Sequence, residues 1–137
     1  MKRNKYIIGN WKMNGTGASI KIVNFIVNHL KKRKKTNSKI VICPPFTLLS
    51  NFNQLKDKIS FGGQDCHYAN EGAYTGSISA LMLKSLGCKY VIIGHSERRE
   101  FQKEQSKELN LKIKAALENN LNVVYCIGEK LSEIKKR

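Results

Sequence analysis

Acidic residues are scarce in this sequence: 10, against 25 lysines and arginines, giving a formal charge of +15 over 137 residues. Such a balance can suit nucleic acid or an anionic membrane. The features that would accompany either partner are missing. There is no helix-turn-helix, zinc-finger or aromatic RNA-binding signature. The excess concentrates in Lys31-Lys32-Arg33-Lys34-Lys35 and Lys135-Lys136-Arg137. The first of these runs closes a predicted helix, where cations suit the dipole. We therefore expect no nucleic-acid partner. A basic nucleic-acid-associated domain stays as the alternative, and tight, salt-sensitive binding to DNA or RNA would favour it.

Long apolar runs are also missing, which excludes a membrane-spanning helix. The basic start is followed only by Tyr6-Ile7-Ile8, too short for a signal peptide. The four cysteines, at 43, 66, 88 and 126, form no Cys-x-x-Cys pair. Metal ligation with His67 or His95 lacks the spacing of zinc sites. Reduced, mostly buried thiols in a cytoplasmic protein are the expected state. Gly15-Thr16-Gly17 lacks the third glycine of a dinucleotide loop and stands well past the nearest strand.

What is present is a repeat. The length suits one ordinary domain, and 41% apolar residues can bury a core of moderate size. Short β-rich runs at Tyr6–Ile8, Ile40–Cys43, Ile59–Phe61, Tyr90–Ile93 and Val123–Ile127 predict five strands. Helical spacing separates them. It runs through Ile20, Val23, Ile26, Val27 and Leu30 after capping hydroxyls at Thr16 to Ser19, and then through Leu48, Leu49, Phe52 and Leu55. A third helix carries Leu81, Met82, Leu83 and Leu86 between a Ser79 cap and a Gly87 stop. A fourth carries Leu109, Ile113, Ala116 and Leu117 up to Asn119-Asn120, and a last begins near Lys130. The glycine- and aromatic-containing stretch from Cys66 to Ser77 reads as a binding or docking loop.

Strand–helix units of roughly 30 residues imply parallel strands with right-handed crossovers. All strand C-terminal ends then share one rim. That rim carries Asn10, Lys12, Gln64, His95, Glu97 and Glu129. A closed barrel and a doubly wound open sheet both present such a rim. The pattern alone leaves the two open.

The stretch Tyr90-Val91-Ile92-Ile93-Gly94-His95-Ser96-Glu97-Arg98-Arg99-Glu100 closely resembles the signature of triosephosphate isomerase. Gly9-Asn10-Trp11-Lys12-Met13-Asn14 resembles that family's other N-terminal hallmark, and the likeness extends to Cys43-Pro44-Pro45-Phe46-Thr47, Gly72-Ala73-Tyr74-Thr75-Gly76 and Tyr125-Cys126-Ile127-Gly128-Glu129. The resemblance implies an α/β chain of the TIM (β/α)8 barrel family. It implies interconversion of dihydroxyacetone phosphate and glyceraldehyde 3-phosphate, without a metal or organic cofactor. It gives substrate contact to Asn10, Trp11 and Lys12. His95 becomes the group that polarises the carbonyl, with Glu97 as its catalytic partner. Ser96 lies where the family's base rests when the site is open, and Cys126 packs beneath the site. The resemblance further implies a homodimer with contacts at Thr75 and Arg98. Ser77 stands where relatives carry a glutamate that would pair with Arg98 across the dimer.

A whole barrel needs roughly 250 residues. Residues 1–137 are therefore expected to form the N-terminal part of one barrel domain, about five β/α units. By the resemblance the glutamate base, the lid and the later phosphate loops lie beyond the fifth strand. The chain alone is expected not to isomerise; a decayed, non-functional fragment is the remaining alternative.

Overall fold

The computed structural model describes residues 4–32 and 38–128. Its elements in chain order are β1 (Lys5–Asn10), α1 (Ile20–Lys31), β2 (Ser38–Cys43), α2 (Phe46–Phe52), β3 (Ser60–Gly63), α3 (Ala80–Ser85), β4 (Tyr90–Ile93), α4 (Ser96–Phe101), α5 (Ser106–Glu118) and β5 (Asn122–Tyr125). The helix expected near Lys130, and Glu129 on the rim, lie outside the described residues.

The five strands are parallel and follow one another in sequence order, β1-β2-β3-β4-β5. A doubly wound sheet reverses its strand order at a switch point and covers both faces with helices. Neither occurs among the described residues. Side chains alternate along each strand. Ile42, Phe61, Val91 and Ile93 join one cluster with Val23, Val27, Leu48, Phe52, Leu83, Leu109 and Ala116 from the helices. The opposite face packs strand residues on one another: Val41, Cys43, Tyr90 and Ile92, flanked by Ile8, Val124 and Cys126. Helices on one face and a strand-only core on the other make an incomplete barrel. Among the described residues the outer edges of β1 and β5 have no strand partner.

Four strands differ from their expected bounds, β2 only in beginning two residues earlier, at Ser38. Gly9 and Asn10 read as terminators, yet they continue β1 opposite Ile42 and Cys43. Gly62 and Gly63 belong to β3. A Cβ at Gly62 would come within 2.9 Å of the Cys43 sulfur and 3.0 Å of the Tyr90 carbonyl oxygen, so only glycine fits between β2 and β4 there. β5 ends at Tyr125, two residues early, because its partner β4 runs out at Ile93. Ile127 is 83% exposed.

Two helices also bury fewer expected residues. Of the apolar residues expected to line α3 only Leu83 is fully buried, beside Ala80, while Leu81 and Met82 are half exposed. Its Ser79 cap forms as expected, accepting from the Met82 N–H at 3.1 Å. In α5 Leu109 and Ala116 are buried and Leu117 is exposed. The buried residues that apolar spacing missed are Lys112 and Ala115.

Candidate active site

The site is built where β1 and β4 end. After β1, the Trp11 N–H donates to the Cys43 carbonyl at 3.0 Å, carrying the chain across the end of β2. Asn10 Oδ1 accepts from the Lys12 N–H at 2.9 Å. That bond folds Lys12 into the left-handed region, at φ 52°. Gln64, just past β3, completes the clamp: its Nε2 donates to the carbonyls of Lys12 at 2.8 Å and Cys43 at 2.9 Å. The Trp11 ring turns to the helix-side core and meets Phe52 edge-on at 5.7 Å. Its indole is packing; only its backbone shares the turn with Lys12.

At β4, Gly94 turns the chain at φ 73°. His95 then caps α4. Its carbonyl accepts from the N–H groups of Arg98 and Arg99 at 2.9 and 3.1 Å, and its Nδ1 accepts from the Glu97 N–H at 3.3 Å. An Nδ1 lone pair used in this way assigns the ring proton to Nε2. That tautomer places an N–H donor on Nε2, which has no hydrogen-bond partner among the described residues.

Glu97 links the two strand ends. Its Oε1 lies 2.7 Å from Lys12 Nζ, and its Oε2 lies 3.4 Å from His95 Nδ1. The hydrogen bond from Lys12, more than any other influence, holds the Glu97 carboxyl below its usual range. Asn10, Lys12, His95 and Glu97 thus form one connected group. Ser96 is exposed at the first position of α4. Cys126 is half-buried against the inner core, and burial raises its thiol, with Arg99 opposing. Burial pushes Cys43 and Cys66 up to about 12 and Cys88 to about 11, which keeps them as unreactive thiols.

A family model described as triosephosphate isomerase matches residues 5–137. The chain belongs to the triosephosphate isomerase family. It is 50% identical over 127 residues to the triosephosphate isomerase of Wolbachia sp. subsp. Brugia malayi (strain TRS), covering 93% of this chain and 52% of that protein. It is 45% identical to that of Wolbachia pipientis wMel, covering 94% and 51%. The crystal structure of the Bartonella henselae triosephosphate isomerase superposes with a TM-score of 0.91 at 43% identity, over 98% of this chain and 56% of that one. The chain therefore spans about half the length of the curated relatives it matches, and the incomplete barrel is a TIM-barrel portion.

Within this family member, Thr75 and Arg98 stand apart from the connected group. Thr75 is exposed on the loop between β3 and α3, whose base is closed by the His67 N–H donating to the Ile78 carbonyl at 2.8 Å. In that loop the His67 ring lies 4.2 Å from Tyr68 and 4.1 Å from Tyr74 between centroids. Arg98 points into the chain: its Nε donates to Glu104 Oε1 at 2.7 Å, and its Nη2 lies 2.9 Å from Asp65 Oδ2.

Sequence reasoning missed Lys112 and Glu104, which complete that cluster. Lys112 Nζ lies 3.0 Å from Asp65 Oδ2 and 2.5 Å from Glu104 Oε1. A signal was present: Lys112 falls between Leu109 and Ile113 on the apolar face of α5. Gln64 was placed on the rim, but its clamp on Lys12 depends on contacts 52 positions apart, beyond any local pattern.

Proposed function

We propose that this chain carries the electrophilic half of a triose-phosphate isomerase, interconverting dihydroxyacetone phosphate and D-glyceraldehyde 3-phosphate in cytoplasmic glycolysis and gluconeogenesis. The observation that carries this is the connected group at the ends of β1 and β4: a His95 whose Nδ1 accepts from the Glu97 N–H, and the Lys12 ammonium oriented by Glu97. Removing a proton beside a carbonyl creates an enediolate, whose oxygens need fixed donors aimed at the developing charge. His95 Nε2–H donates to the carbonyl oxygen as it becomes an oxyanion. Lys12 neutralises the phosphate and the oxyanion together. Asn10 contacts the substrate only through the turn it holds.

The proton-abstracting base is not supplied by the described carboxylates of this rim. Asp65 is bound to Lys112 and Arg98, and Glu97 to Lys12. Residues 1–137 alone, purified from a host without its own isomerase, are expected to show no turnover above the uncatalysed rate in either direction. Turnover is expected when a separate polypeptide carrying the C-terminal half of a relative is added. Turnover by the chain alone, or none after complementation into a folded complex, would count against the reading.

The same reading makes the assembled enzyme a homodimer. The Cys66–Ser77 loop would dock on the partner subunit, with Thr75 at its tip. Arg98 already serves two carboxylates of its own chain, and Ser77 offers it no charge, so this contact rests on the loop's shape and its aromatic rings. Sedimentation of the complemented enzyme at micromolar concentration should give the dimer, and Tyr74→Asp should shift it toward the monomer. A wild-type enzyme that sediments as a monomer at that concentration rules the dimer out.

A further inference from the structure

One cation of the Ser96–Phe101 helix has no part in the reaction as derived above. The Arg99 side chain folds back over the strand ends. Its Nε donates to the Gly94 carbonyl at 2.7 Å, and its Nη2 donates to the Cys126 carbonyl at 2.9 Å. Its guanidinium carbon lies 5.5 Å from the centroid of the Tyr125 ring. The two accepting carbonyls belong to different strands, just past the ends of β4 and β5. One of them directly precedes His95.

We propose that Arg99 is a positioning residue that sets the His95 ring, by tying the carbonyl before it to the end of the neighbouring strand. His95 is gripped on one side by α4, through its own carbonyl and Nδ1. On the other side the Ile93 carbonyl is held by the Cys126 N–H at 2.9 Å, and among the described residues Arg99 is what holds the Gly94 carbonyl that follows, at a hinge with a wide conformational range. The planar guanidinium fork supplies two directed donors at once, which a lysine ammonium on a flexible stem does not reproduce. Gly94 leaves room for the fork: a Cβ there would lie 2.8 Å from Arg99 Nη2.

The proposal deepens the isomerase reading, since it matters because His95 polarises the carbonyl. Its test needs no turnover, so the two can fail separately. The probe is the imidazole nitrogen spectrum of the 15N-labelled 137-residue chain, compared with Arg99→Lys and Arg99→Met. His67 is the internal control. Its Nδ1 accepts from the Ala69 N–H at 3.0 Å, the same kind of bond in a loop that Arg99 does not touch. In the wild type both rings should appear as single Nε2–H tautomers. In both variants His95 should become a tautomer mixture, and the Glu97 amide should exchange at least about tenfold faster. His67 and the Ala69 amide should stay unchanged. An unchanged His95 in both variants overturns the proposal. So does loss of the His67 tautomer alongside that of His95, which would make Arg99 a general structural residue. A wild-type His95 already present as a mixture overturns it as well.

Discussion

Lys112→Met is expected to remove about 3–5 kcal/mol of stability, the usual result of breaking a buried ion pair from one side. Domains of this kind have about 5–15 kcal/mol in total, so the variant should sit near its unfolding threshold at room temperature. The Lys112 side chain is 3% exposed and that of Glu104 only 2%. Without the ammonium, Asp65 and Glu104 would face each other with Arg98 as their remaining shared partner. Glu104 Oε2 is already buried without a hydrogen bond. The check is the urea midpoint followed by circular dichroism. Adding Glu104→Gln to Lys112→Met should recover part of the loss, because it removes the stranded charge. A midpoint within about 0.5 kcal/mol of the wild type would show that the cluster contributes no more than a surface pair.

The same cluster sets a pH dependence. Burial alone would raise Glu104, but the hydrogen bonds from Lys112 and Arg98 outweigh it and hold the carboxyl low. Its contribution is therefore complete above the ordinary glutamate range and is lost as pH falls through the lowered folded value. Asp65 acts in the opposite direction. Burial raises it more than Lys112 and Arg98 lower it, so mild acidification favours the fold through that group. Stability should hold on the first descent from neutral pH and then drop once Glu104 takes its proton. On the alkaline side, burial would lower Lys112, but Glu104 and Asp65 raise it on balance. Its share is lost only as pH climbs past that raised value.

Lys12→Met should reduce turnover of the complemented enzyme by at least about 10²–10³-fold, the scale on which one preorganised charge donor acts. The fold should survive, because the Lys12 side chain is 53% exposed and its ion pair among the described residues is with a half-exposed carboxylate. The informative comparison is kcat/KM against the urea midpoint. Near-normal turnover would remove Lys12 from the site. Loss of turnover together with a collapsed midpoint would make its role structural. Glu97→Gln should fall between Lys12→Met and the wild type, since it leaves the ammonium in place but without its orienting partner.

Much of this architecture could be read from the order of residues, and the exceptions share a physical origin. Apolar runs gave the strand positions most clearly where a strand is buried on both faces and must be apolar along its length, as in β3, β4 and the end of β2. They failed at Gly9, Gly62 and Gly63. At Gly62 and Gly63 a strand continues without a side chain because neighbours from distant segments fill the space, and such crowding leaves no local mark. Leu81, Met82 and Leu117 misled in the opposite sense: an apolar side chain does not say whether anything covers it. The connected group was legible at Asn10, Lys12, His95 and Glu97 because the resemblance named them. The Trp11 ring packs on Phe52, so any contact this residue makes with a ligand would run through its backbone. Arg99 and Lys112 were passed over because a basic residue in a basic chain looks like surface.

Lys12 holds a backbone conformation that costs a non-glycine residue about 1–3 kcal/mol. Asn10 and Gln64 stabilise it with two hydrogen bonds to its backbone, and Gln64 is anchored by a third to the Cys43 carbonyl, from protein groups alone. The cost therefore falls on folding rather than on binding. On the proposed reading, an arriving phosphate would meet an ammonium whose backbone is already ordered, and little of its affinity would be spent in arranging the turn. The same economy makes the turn vulnerable from a distance. A substitution at Gln64, which need not touch the substrate, would let the turn relax, and the loss would register as weaker binding rather than as a slower chemical step.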